Sequence, residues 1–166
     1  ISAECISPKN FENRAVFNEK LLERVNSYEP DLIVLAGFLV VIPPEMIAAY
    51  RNRMINIHPS LLPSFRGLHT HQQAIDAGVR VHGATVHFVT PELDGGPIIA
   101  QAIVPVFPDD NEDKLADRVL EQEHRIYPRV VRLIVEDRIS LNEDGRVNLS
   151  PEVVDSLGFI VKGGGL

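Results

Sequence analysis

Two short segments, one an unbroken apolar run and the other apolar but for Asn56, do most to limit what this chain can become. Leu32-Ile33-Val34-Leu35-Ala36 ends at Gly37, and Met54 to Ile57 ends at His58-Pro59. Apolar runs of this length mark strands buried on both faces of a parallel sheet, since a half-exposed strand would alternate. Between them Pro43-Pro44 opens a helix through Tyr50, proline being tolerated in a first helical turn. Ahead of them Val16, Phe17, Leu21, Leu22 and Val25 recur at helical spacing within Arg14 to Tyr28, and Pro30 stops the pattern. This alternation predicts an α/β fold with a largely parallel sheet and flanking helices.

The later chain adds an antiparallel unit. Val81 to Thr90 and Ile98 to Val106 read as long strands joined through Asp94-Gly95-Gly96-Pro97, a hairpin signal. His71 to Ala77 is a short helix closed by Gly78. Glu112 to Glu136 is the longest helix, with Ala116, Val119, Leu120, Tyr127, Val130, Val131 and Ile134 as its apolar stripe. Asp109, Asp110, Glu112 and Asp113 crowd its start, where acids complement the helix dipole. Ile1 to Ile6 alternates like a strand, with Cys5 in it as core packing, so the chain reads as the back part of a longer protein. Residues 137–166 form a weakly patterned tail, and its Lys162-Gly163-Gly164-Gly165 is expected to be disordered.

The 166 residues fit one domain. With 16 basic against 23 acidic side chains the net charge is −7, which offers nothing to a nucleic acid backbone. No apolar run is long enough for a membrane-spanning helix. The single cysteine cannot form an intramolecular disulfide and suits a reducing, cytoplasmic setting. Gly-x-Ser-x-Gly, a cysteine beside a histidine, and a Gly-Lys-Ser phosphate loop are all missing. An enzyme nucleophile is therefore not expected; the chemistry left is direct attack by a substrate's own nucleophile on a carbonyl.

Five of the six histidines fall between positions 58 and 87. Asn56 and His58, two apart, project to one strand face at the carboxyl end, where open α/β sheets bind ligands. His58 alone reads first as a histidine bonded within a loop; its pairing with Asn56 puts a functional role slightly ahead. His69-x-His71 lacks the further ligands that zinc requires, so no metal is expected. His82 shares a face with Ala84, Val86 and Phe88 and reads as structural, whereas His87 shares the opposite face with Thr85. Asp94 reads first as a hairpin residue, although a turn can also hold a carboxylate over a crevice. Glu123 interrupts an apolar stripe, either at its exposed edge or lining a polar site.

Four segments together go further. Asn56-Ile57-His58-Pro59-Ser60-Leu61-Leu62-Pro63, Gly67-Leu68-His69-Thr70-His71, His82-Gly83-Ala84-Thr85-Val86-His87-Phe88-Val89 and Leu93-Asp94-Gly95-Gly96-Pro97 resemble the phosphoribosylglycinamide formyltransferases from about Ile1 to Glu136. The resemblance implies a Rossmann-like formyltransferase domain over 1–166, with 1–136 as the matching core, 137–166 as the tail and the family's first strand and phosphate loop absent. It implies formyl transfer from 10-formyltetrahydrofolate to glycinamide ribonucleotide in purine biosynthesis, by a cytoplasmic monomer or homodimer without metal, nucleic acid or membrane partners. Asn56, His58 and Asp94 would be catalytic: an oxyanion donor, a general acid and base, and a carboxylate that stabilises the imidazolium and orders a relay water. Thr85 and His87 would support that water. Folate-side contacts would come from Arg14, Leu39, Val40, Val41, Ile42, Asn56, Thr90, Pro91, Glu92, Leu93 and Asp94, with Glu123 reading the ribose hydroxyls. Val40 departs from the arginine many members carry. A formyltetrahydrofolate deformylase, which members with Asp-Glu-Gly-Pro at the turn typify, and a non-catalytic folate-binding fragment are the alternatives; a metal-dependent hydrolase ranks below both.

Overall fold

The computed structural model describes residues 2–38 and 41–153. After a 3-10 turn at Pro8–Asn10 come α1 (Arg14–Asn26), β1 (Ile33–Leu35), α2 (Pro44–Ala49), β2 (Met54–His58), α3 (Thr70–Asp76), β3 (Val81–Phe88), β4 (Ile98–Pro105), α4 (Glu112–Val135), β5 (Ile139–Leu141) and β6 (Val147–Leu149). Asn13 caps α1 by accepting the Val16 N–H, and Asn111 caps α4 by accepting the Lys114 N–H, each satisfying a donor that a helix start leaves orphaned. At the head of α4, Asp110 forms a forked ion pair with Arg118, which holds its carboxyl down at about 2.

The main sheet has the order β1-β2-β3-β4. Strands β1 and β2 are parallel, as the βαβ pattern requires, whereas β2–β3 and β3–β4 are antiparallel. The sheet among the described residues is thus mixed rather than largely parallel, because the hairpin supplies half of its strands. Packing is two-sided. Ile33, Leu35 and Met54, on one face, join Met46 and Tyr50 of α2 with Leu21, Leu22 and Val25 of α1. Ile55, Ile57, Ala84, Val86 and Phe88, on the other, meet Leu115, Val119, Ile126, Tyr127, Val130 and Leu133 of α4. The Tyr127 hydroxyl fastens that helix to the parallel pair, 2.6 Å from the Leu35 carbonyl and 3.2 Å from that of Ile55.

Four sequence expectations need correcting. Residues 2–7 form no strand and Cys5 is exposed, so it packs no core. Val34 is 42% exposed: β1 borders the sheet among the described residues, and α4, which reaches this strand through the Tyr127 hydroxyl, leaves the Val34 side chain uncovered. The buried stripe of α4 includes Leu115, Ile126 and Leu133, whereas Leu120 is exposed, so the helix is rotated from the expected contact face. Residues 139–149 are not patternless; they make the β5–β6 hairpin, which puts Ile139 into the core. Its strands are only three residues long, too short for periodicity to show. Leu39, Val40 and the Lys162 to Gly165 segment lie outside the described residues. Among the described residues no helix is long and apolar enough to cross a membrane.

Candidate active site

The site begins where β2 runs out from under α2. Met54, Asn56 and His58 alternate onto one sheet face; Met54 is covered by the α1–α2 layer, and the two polar residues lie beyond it. Directly opposite on β3 are His87, facing Asn56, and Thr85, facing His58. Opposed residues of an antiparallel pair share a face, so four polar side chains gather on it. Among the described residues no protein hydrogen bond claims the Asn56 carboxamide.

His58 is held from two directions. Its Nε2 lies 3.0 Å from the Phe65 carbonyl, which only accepts, so Nε2 carries the hydrogen in the neutral ring. Its Nδ1 faces Asp94 Oδ2 at 3.6 Å. That gap is too long for a hydrogen bond and short enough for strong electrostatic attraction once the ring is charged. Asp94 sits in the β3–β4 connection at φ +48°, with Oδ2 accepting the Gly67 N–H at 2.9 Å. The Asp-Gly-Gly-Pro stretch is thus both a turn and a carboxylate mount. Gly96 is obligatory within it, since a Cβ there would lie 1.8 Å from the Phe88 carbonyl oxygen.

The segment after β2 supplies the fixing groups. Phe65, Gly67 and His69 have φ of +53°, +81° and +57°, an every-other-residue left-handed path. Such conformations cost free energy in non-glycine residues and persist where their surroundings over-determine them. Ser60 donates to the Ser64 carbonyl at 2.7 Å and Thr70 to that of Pro59 at 2.7 Å, tightening the segment. Exposed Arg66 pairs with Glu92, linking this segment to the β3–β4 connection.

Burial disfavours the charged form of three further histidines, His71, His82 and His87. His87 Nδ1 lies 2.9 Å from the Phe88 carbonyl, which turns an unprotonated Nε2 toward Asp94 Oδ1 at 4.0 Å. Burial pushes its pKa down, and His71 likewise. His82, fully buried, is pushed to about 4. Its ring stands edge-on to Phe65 and to His71, with centroids 5.8 and 5.3 Å away, and its nitrogens meet no partner in hydrogen-bonding geometry; the Pro59 carbonyl is a favourable neighbour off that geometry.

The other expected site residues occupy the borders. Arg14, at the start of α1, donates to the Val41 carbonyl at 3.1 Å, tying that helix to the exposed segment after β1. Ile42 packs on the α1–α2 core, whereas Val41 is exposed. Thr90, Pro91, Glu92 and Leu93 lead into Asp94, with Leu93 exposed. Glu123 is half-buried on α4; burial raises its carboxyl, and His124 and His58 are near enough to pull it back down. Thr85 departs from its expected role, because its hydroxyl is already spent: it donates to the Ser60 carbonyl at 2.6 Å and accepts the Leu62 N–H at 3.0 Å. Sequence reasoning missed Phe65 and Gly67, which act through backbone groups, and a backbone role leaves no residue-type signal.

In this geometry an imidazole with a fixed tautomer, a carboxylate beside its free nitrogen and an uncommitted carboxamide share one polar face. That arrangement suits proton transfer at a carbonyl carbon under nucleophilic attack.

The model of the family described as formyl transferase matches residues 1–131. The chain is 45% identical over 144 residues to the phosphoribosylglycinamide formyltransferase of Escherichia coli strain K12, covering 87% of this chain and 68% of that protein. It is similar to the crystal structure of glycinamide ribonucleotide transformylase 1 from Symbiobacterium toebii, with TM-score 0.81 and 45% identity over 86% of this chain and 67% of that one. A formyltetrahydrofolate deformylase from Pseudomonas syringae is also similar, with TM-score 0.79 and 34% identity over 87% of this chain and 47% of that one. The chain thus spans about two thirds of the length of its transferase relatives.

Proposed function

The chain belongs to the formyl transferase family, and from that premise we propose that it carries the catalytic half of a reaction moving a formyl group from 10-formyltetrahydrofolate to the amine of glycinamide ribonucleotide. The observation that carries this reading is the double hold on His58: Phe65 fixes the hydrogen on Nε2, so Nδ1 is the base and Asp94 awaits its proton.

The substrate amine attacks the formyl carbon, whose carbonyl oxygen takes the electron pair. Asn56 donates to that developing oxyanion, a contribution worth about 3–4 kcal/mol for one well-placed donor. The amine gives up a proton to His58 Nδ1. The resulting imidazolium keeps its Nε2–H on the Phe65 carbonyl and turns its new N–H toward Asp94. The carbon–nitrogen bond to the folate then breaks, and the proton passes to the departing nitrogen, directly or through a water ordered by Asp94. His87, which turns an acceptor nitrogen toward Asp94, supports that water; Thr85 instead braces the loop. Arg14, Val41, Ile42, Asn56 and Thr90 to Asp94 take the folate side, as do Leu39 and Val40 outside the described residues. Glu123 accepts from the ribose hydroxyls. The enzyme acts in the cytoplasm as a monomer or homodimer, with no metal, nucleic acid or membrane.

The second reading is hydrolysis of the same formyl-folate, which the deformylase likeness favours. Incubating the protein with 10-formyltetrahydrofolate, with and without glycinamide ribonucleotide, separates the two. Formyl loss that requires the amine and yields formylated amine supports the transferase; amine-independent formate release supports the hydrolase. Folate binding with no turnover would overturn both.

A further inference from the structure

Three polar residues stand in one line across the sheet: His58 on β2, Thr85 directly opposite on β3, and Gln101 directly opposite Thr85 on β4. Gln101 belongs to the edge strand, yet both of its amide hydrogens act inward. Its Nε2 donates to the Leu62 carbonyl at 2.9 Å and to Thr85 Oγ1 at 3.0 Å. Thr85 passes the restraint on through its bonds to Ser60 and Leu62. A hydroxyl offers one hydrogen and two acceptor positions, and all three are filled. The segment so fixed, Ser60 to Leu62, lies between His58 and the Phe65 carbonyl that holds the His58 tautomer.

We propose that Gln101 is a positioning residue for His58: through Leu62 and Thr85 it keeps the Phe65 carbonyl on Nε2 and so aims Nδ1 at Asp94. This rests on the assignment of His58 as the base. Without the Gln101 amide the Leu62 carbonyl loses a donor and Thr85 a restraint, and the segment relaxes by a fraction of an ångström. Displacements near 1 Å at a reacting group can cost about 100-fold in rate, so losses of about 10- to 100-fold are expected.

The test uses Gln101→Leu, which keeps the volume and removes the amide, and Gln101→Asn, which withdraws the amide by one methylene and carries the test if the leucine variant does not fold. Expected is a fall in kcat of about 10- to 100-fold while KM for both substrates changes about threefold or less, with a displaced acid limb in the pH profile of kcat/KM. Since Gln101 acts through His58, adding Gln101→Leu to His58→Ala should cause no further loss. A role confined to holding β4 would instead lower the melting temperature and leave kcat and the pH profile of the folded fraction unchanged, which would overturn the proposal. So would multiplicative losses in the double variant. The two assignments fail separately: a fully active His58→Ala removes the base, whereas an inactive His58→Ala beside normal Gln101 variants removes only the positioning role.

Discussion

Asp94 Oδ2 accepts the Gly67 N–H at 2.9 Å while standing 3.6 Å from His58 Nδ1. The carboxylate is therefore mounted on the loop beyond His58 and faces the ring without being fully engaged by it. One residue of this pair cannot be changed without altering what the other does.

Asn56→Ala should lower kcat by about 100- to 1,000-fold, the usual loss for one oxyanion donor. His58→Ala and Asp94→Asn should each lower it by at least about 100-fold, while folate binding measured by fluorescence titration changes little. Because the groups act together, the triple variant should be about as active as the worst single one. Near-normal turnover in His58→Ala or Asp94→Asn would return those residues to plain loop and turn roles.

Glu123→Gln removes the charge and keeps the shape. It should raise KM for glycinamide ribonucleotide by about tenfold and leave KM for the formyl-folate within about twofold, a loss expected for one polar contact to a hydroxyl. Equal changes in both constants would place Glu123 away from the ribose.

Stability should depend on pH through the buried histidines. Burial, reinforced by nearby His71, holds His82 at about 4 against an ordinary 6.5. Between those values the unfolded chain binds more protons than the folded one, so stability rises with pH across the window and is lost as pH falls. The spread corresponds to something on the order of 3 kcal/mol for this one group. His71 and His87, also pushed down, act in the same sense, while Glu123, pushed up, opposes them in part. Urea midpoints from pH 4 to 8 should climb and then level above about pH 6.5. His82→Phe, which keeps the ring against Phe65, should flatten that climb; a wild-type midpoint that increases on acidification would contradict the assignment.

Tyr127→Phe deletes one hydroxyl that reaches two backbone carbonyls of the parallel strand pair. A loss of about 1–3 kcal/mol is expected from leaving buried acceptors without their donor. Chemical denaturation monitored by circular dichroism would measure it, and an unchanged midpoint would mean that the carbonyls are satisfied within the sheet alone.

How far the sequence spoke for itself differs from residue to residue. The Asn56 and His58 pair was legible because a strand's two-residue period is rigid and its carboxyl end is a known place for ligands. Asp94 was ambiguous from pattern, since a left-handed turn residue and a mounted carboxylate use the same letters. Val34 misled because an apolar run does not say whether a helix will cover its second face. The partners that hold the site were hidden for a different reason: Phe65 and Gly67 contribute a carbonyl and an N–H, which every residue other than proline possesses. Gln101 lies 39 positions from Leu62, and only the strand register brings them together.

The Gly67 amide has a consequence for anyone wishing to watch this site at work. Its proton points at a buried carboxylate, so its magnetic resonance frequency reports how much negative charge Asp94 carries. Glycine amides are readily recognised in nitrogen–proton spectra, and this one has no side chain to complicate the shift. A change of charge at His58, 3.6 Å from the same carboxylate, should therefore register at Gly67, so the unmodified protein carries its own gauge of proton movement there.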